Sequence, residues 1–185
     1  MSLSGFVQWL ADTPWSVQLH ESLFGYPLLE SVHVLTLCIF VGMSVLLDLR
    51  LLNITLRRVP VSELFERLAP WLFGGFAIMM VTGVLLFFAI PIRSYHSIWF
   101  RGKLILLVLA GLNAWTFHGT IWKHVREWDT APISPARARF AGAASLILWA
   151  GIIVFGRMIA YNWFDCDLHQ SAFIVWAAGC PAGPQ

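Results

Sequence analysis

The sequence predicts an all-α protein: a transmembrane up-down four-helix bundle with interfacial N-terminal helices and an outward C-terminal tail. Three observations predict it. Hydrophobic residues make up 58% of the 185 positions and charged residues only 12%, with a mean hydropathy of +0.72; a soluble domain carries about twice that charged fraction. Four segments approach the roughly 20 apolar residues that a helix needs to cross a bilayer core. None of them shows the alternating period of barrel strands. Aromatic residues at 15% and a net charge of +2 also exclude a disordered chain and a nucleic-acid footprint.

The elements follow in order. Ser4–Ala11, with Phe6, Trp9 and Leu10, reads as a short interfacial helix, and Trp15–Phe24 as a second, ended by Gly25-Tyr26-Pro27. Residues 1–27 lack a basic n-region and contain Asp12, Pro14 and Glu21, so they do not read as a cleaved signal peptide. A transmembrane domain is expected over residues 28–163 and a tail over 164–185. Span one runs Ser31–Leu47, bracketed by Glu30 and Asp48. Span two runs Leu68–Ile92, span three Leu104–Trp122, and span four Phe140–Gly156, stopped by Arg157 but apolar to Tyr161. Trp71, Trp99, Trp122, Trp128 and Trp163 lie near these boundaries, where an aromatic belt belongs.

Loop charge sets the orientation. Arg50, Arg57, Arg58 and Arg67 follow span one, and Lys123, Arg126, Arg137 and Arg139 follow span three, eight against Arg93, Arg101, Lys103 and Arg157 on the other side. The positive-inside rule then places both termini outward. Of the three cysteines, Cys38 is mid-span and reads as a packing residue. Cys166 and Cys180 share the outward tail, where oxidation is permitted, and a disulfide is expected, with free thiols or a metal site as the alternatives. Ser171–Ala178 is apolar but too short to span, so it should pack on the bundle or on a partner.

Ionisable groups within spans are expensive, so each needs a reason. His33, Glu30, Arg157, Arg101, Lys103, His96 and His20 all fall at the outer level. His118, Asp48 and Arg50 form a smaller inner layer, and a polar stripe Glu30–His33–Ser44–Asp48 should face the bundle interior. Neutral imidazole is a haem b and copper ligand, and a helical bundle is a normal place for such a site. Arg157, Arg101 and Lys103 are placed to meet propionates. His33 and His118 are separated by more than ~10 Å in depth on parallel helices. A bis-histidine pair would therefore join His33 to His96 or His20. His118 would be a second site or a structural residue bonded to Asp48 or Asn113. Each histidine also has an ordinary reading, as a hydrogen-bonding partner across helices or an exposed loop residue. Met43, Met79, Met80 and Met158 show no regular spacing and read as packing. No Walker loop, Ser-His-Asp arrangement or HExxH motif is present, so hydrolytic catalysis has no residues to carry it.

The segments Tyr26-Pro27-Leu28-Leu29-Glu30-Ser31-Val32-His33-Val34-Leu35, Asp48-Leu49-Arg50-Leu51-Leu52, Leu109-Ala110-Gly111-Leu112-Asn113, Phe117-His118, Leu148-Trp149-Ala150-Gly151 and Gly156-Arg157 resemble a family of uncharacterised four-span bacterial inner-membrane proteins. That family is distantly similar to copper-resistance D-type membrane domains and to b-type four-helix membrane cytochromes. The resemblance spans about residues 5 to 163. It implies Glu30, His33, Asp48, Arg50, Asn113, His118 and Arg157 as matched positions, with His33 and His118 the first ligand candidates by likeness to the cytochromes. His20, His96 and the tail around Asn162-Trp163-Phe164-Asp165-Cys166 look like features of a narrower subgroup.

The expected function is that of a bacterial inner-membrane haem b protein, with one or two haems and both termini periplasmic. It would carry electrons between the quinone pool and a periplasmic redox protein, as the membrane subunit of a larger complex. Copper handling across the membrane and a cofactor-free structural subunit are the alternatives. Its surroundings would be the lipid bilayer, with quinone as a candidate ligand and no nucleic acid.

Overall fold

The computed structural model describes residues 3–131, 133–161, 163, 164, 166 and 168–180. The resemblance quoted at Asn162 and Asp165 lies outside the described residues. Among those described there are helices and no strand, so the chain is all-α. Four helices are long and apolar enough to cross a membrane, and the chain is a multi-pass membrane protein on that basis.

Two short helices come first, α1 (Leu3–Ala11) and α2 (Pro14–Glu21). Thr13 caps α2 by accepting from the Ser16 amide at 3.4 Å, and Pro14 fits the first turn, where no amide donor is needed. The long helices are α3 (Gly25–Leu51), α4 (Val61–Ala89), α6 (Ile98–Thr116) and α8 (Ala136–Met158); α5 (Pro91–His96) joins α4 to α6. Beyond α6 the chain widens into a π turn over Phe117–Ile121. It then tightens into a 3₁₀ turn over Trp122–His124 and the short α7 (Val125–Trp128). A tail helix, α9 (Ala172–Ala178), closes the order.

The helices outrun the spans expected from hydropathy. Glu30 and Asp48 lie inside α3 rather than at its ends, whereas α8 ends at Met158, one residue past Arg157. A charge limits how far a segment enters lipid but does not stop backbone hydrogen bonding. α4 starts seven residues before Leu68 and carries Pro70 internally. It ends at Ala89 because Pro91 starts a new helix, so Ile90–Ile92 falls outside it.

By packing, the described residues form two units, each built on segments of all four long helices. The first draws on residues 1–33, 81–105 and 153–185. There Ser16, 2% exposed, donates to the Phe88 carbonyl at 2.8 Å and ties α2 to the end of α4. The second unit draws on residues 34–80 and 106–152. Its core has two parts. Leu47, Leu51, Val61, Leu64, Leu68, Phe117, Ala138 and Ala141 form one. Phe40, Met79, Trp149 and Ile152 form the other, with Trp149 edge-on to Phe40 at 4.8 Å. Large apolar residues such as Leu35, Phe73, Val81, Ile105, Trp115 and Ile147 are exposed along the long helices, as lipid contact requires.

Candidate functional site

In the first unit, His33 on α3 is half-buried against α4. Its Nδ1 is 2.8 Å from the Thr82 hydroxyl oxygen, and Gly83 presents its bare backbone to the ring: a Cβ there would stand 3.4 Å from His33 Cε1. Lys103 on α6 comes within electrostatic reach of the imidazole. Its Nζ lies over Gly156 of α8, 3.4 Å from where a Cβ would be. The two glycines let a ring and an ammonium occupy space that larger side chains would fill. One helical turn before Lys103, Trp99 packs edge-on to Phe155 at 5.2 Å. Its buried indole N–H has no acceptor among the described residues. Trp99 and Lys103 thus put two donors on one face of α6.

Arg101 and His96 have a different task. Arg101 donates to the Ala177 carbonyl at 2.6 Å and to the Tyr95 carbonyl at 3.0 Å, with its guanidinium 5.0 Å from the Tyr95 ring centre. His96 Nδ1–H donates to the Ala178 carbonyl at 3.3 Å. The last carbonyls of a helix have no partner within it and carry partial negative charge, so Arg101 and His96 cap the C-terminus of α9. Gly179, at φ +63°, completes that cap in the left-handed conformation, and the Cys180 amide donates back to Val175. The Cys166–Cys180 disulfide closes the same segment.

Several sequence expectations are corrected here. Arg101 is committed to carbonyls and is not left to meet a propionate. Arg157 is exposed, with its guanidinium 5.4 Å from the Tyr161 ring centre and 3.4 Å from the Tyr161 hydroxyl. His20 is exposed on α2. Glu30 is exposed as well, although its stripe partner Asp48 is buried. The phase of a helix says which residues share a face, but only a neighbour packed over that face buries them. His118 bonds neither Asp48 nor Asn113. It is exposed in the π turn, and its Nδ1–H donates to the Ala114 carbonyl of its own helix at 2.9 Å. Asn113 instead donates to the Ala141 carbonyl at 3.0 Å, joining α6 to α8. Among the described residues no group of three or more His, Cys, Asp or Glu side chains could hold a metal ion.

The second unit contains a polar knot that sequence reasoning placed only in part. Arg50, 1% exposed, donates to the Val59 carbonyl at 2.7 Å. Longer contacts of 3.4 Å reach Asn53 Oδ1 and Ser134 Oγ, and one of 3.5 Å reaches the Asp129 carbonyl. Asn53, at φ +57°, reverses the chain after α3, and its Oδ1 also accepts from the Ser134 amide and hydroxyl at 3.1 Å. Asp129 accepts from the Ser62 amide at 2.9 Å and from its hydroxyl. Ser134, Ser62 and Asp129 carried no signal in the sequence, because polar loop residues are the norm. Arg50 and Asp48 do not pair: they are two positions apart on α3 and leave the helix on different faces.

A family of unknown function, DUF6644, matches residues 21–162, from the end of α2 to just past α8. No curated protein and no solved structure matches the chain.

Proposed function

We propose, for a chain that belongs to the DUF6644 family of unknown function, that it is a membrane haem b protein passing electrons between quinone and a periplasmic redox partner. The observation that carries the reading is the setting of His33. In the tautomer that donates Nδ1–H to Thr82 Oγ1, 2.8 Å away, Nε2 would keep its lone pair, and a ligand histidine is commonly oriented by such a second hydrogen bond. His96 has the same arrangement toward the Ala178 carbonyl, which supports it as the second ligand. At His118 and His124 the acceptor is only the helix carbonyl four residues back, and both are exposed. Lys103 supplies an ammonium, and the Trp99 N–H a donor with no acceptor among the described residues, suited to a propionate or a quinone carbonyl. An apolar groove of about 730 Å³, lined by Trp15, Leu19, Leu28, Leu29, Val32 and Phe88 among others, opens in the same unit. A bound haem would supply one-electron chemistry; the chain's own residues would hold and orient it and exclude water.

The test is a reduced-minus-oxidised spectrum with a pyridine haemochrome assay on protein from haem-replete membranes. A haem b signal lost in His33→Ala is expected; absence of any haemochrome would end the reading. Bound copper without porphyrin, by elemental analysis, would favour copper handling instead. A second reading, a cofactor-free subunit of a larger complex, is favoured by α9, which exposes Phe173 and Trp176 (71% and 77%) while two side chains and a disulfide hold it in place.

A further inference from the structure

Asp48 is the one acidic residue among those described that is buried, at 5% exposure. It sits on α3 at a close crossing with α8: a Cβ on Gly142 would be 3.1 Å from the Asp48 carbonyl oxygen. Ser145 is three positions further along α8, on the same face as Gly142. Ser44 is one turn earlier on α3. Both hydroxyls lie within electrostatic reach of the carboxyl group. One carboxylate oxygen, Oδ2, is buried and has no hydrogen-bond partner among the described residues. Leu47, Leu51 and Ala141 are buried beside it in the apolar core.

Among the described residues no charged group faces this carboxyl from the packed helices. Arg50 is turned to Val59, Asn53, Ser134 and Asp129. Asp129 is bonded to Ser62. Glu63, Glu66 and Arg67 of α4, His118 beyond α6, and Arg137 and Arg139 of α8 are all exposed. Asn113 of α6 is engaged with Ala141. An ionised carboxylate in such a place carries a desolvation cost of several kcal/mol, and neither a cation nor a full set of donors offsets it. Binding a proton removes that cost.

We propose that Asp48 is a proton-binding site within the membrane-spanning helices, a carboxylic acid at neutral pH that exchanges its proton through the hydroxyls of Ser44 and Ser145. An ionisable group buried in a membrane-spanning helix is a usual element of proton relays. The site needs no cofactor and stands apart from the haem reading.

The experiment is infrared difference spectroscopy on the full chain in phosphatidylcholine vesicles. A protonated-carboxyl carbonyl band is expected at pH 7. It should shift on transfer to D₂O, move in frequency in Asp48→Glu and vanish in Asp48→Asn. Ser145→Ala should slow the D₂O shift. No band at pH 7, a band surviving in Asp48→Asn, or a band that D₂O leaves in place would each overturn the site. An unaltered exchange rate in Ser145→Ala would overturn the serine route. Should Asp48→Asn fail to fold, the frequency change in Asp48→Glu decides the assignment.

Discussion

Replacing Arg50 by alanine tests the knot that joins the two loops of the second unit. The guanidinium makes one short charge-assisted bond, 2.7 Å to the Val59 carbonyl, and three longer contacts of 3.4 to 3.5 Å. A hydrogen bond to a charged group contributes about 1.5–3 kcal/mol, and leaving a buried acceptor unpaired costs about 1–3 kcal/mol. The three longer contacts add little each, because a hydrogen bond weakens with distance. Together these span about 2.5–6 kcal/mol of lost stability, centred on the range of about 3–5 kcal/mol seen when one partner of a buried charged network is removed. Every 1.4 kcal/mol is tenfold, so the unfolded fraction should rise by roughly 10² to 10⁴. Reversible unfolding in mixed micelles under increasing sodium dodecyl sulfate, followed by circular dichroism, reads this directly. Arg50→Lys keeps the charge but loses the fork of donors, and should fall between. Arg57→Ala is the control. Arg57 is exposed and donates to the Asn53 carbonyl at 2.5 Å, so its loss should stay within about 0.5 kcal/mol. If Arg50→Ala cost less than about 1 kcal/mol, the loops would be held by something other than this side chain.

Three further outcomes follow from the geometry. Gly142→Val should cost about 1–3 kcal/mol by overpacking, since even a Cβ would press on the Asp48 carbonyl at 3.1 Å and on Leu51 Cβ at 3.2 Å; unfolding midpoints measured against Gly111→Ala, where a Cβ meets nothing within 4 Å, provide the comparison. Cys166→Ser/Cys180→Ser should release a loop whose closure contributes about 3 kcal/mol in the chain-entropy account, so the tail should be cut by protease several-fold faster while the four long helices stay intact. Arg101→Gln removes a 2.6 Å bond to Ala177, and amide exchange in α9 should accelerate; unchanged protection would assign the docking of α9 to the disulfide and apolar contacts alone.

The all-α class and the four spans were legible because crossing lipid demands long apolar segments, and composition records that demand. The Cys166–Cys180 bridge was legible as the preferred one of three uses, because two cysteines share one short tail. The ends of α3 were not, since Glu30 and Asp48 look like boundaries in hydropathy but pass through hydrogen-bonded backbone without interruption, whereas α8 does end beside Arg157. Depth could be counted at 1.5 Å per residue, and His33 and Lys103 do come within electrostatic reach of one another. What lies over each face could not be counted. Arg101 and His96 were expected at the same depth, yet they serve the C-terminus of a seven-residue helix some 76 to 82 positions away in sequence. The Arg50 knot was hidden further, because its acceptors are two main-chain carbonyls and two short polar side chains, and no residue pattern marks a carbonyl.

The wide turn at Phe117–Ile121 has a consequence for length variation in this chain. A π turn holds one more residue than the α-helical path it replaces, so span three carries a surplus position between the face that buries Phe117 and the stretch leading to Val125. Excising a single residue there, Gly119 for instance, should relax the bulge to ordinary pitch while both flanking stretches keep their neighbours. The same excision in α3, which has no such slack, would rotate everything after it by about 100° and scramble the seam.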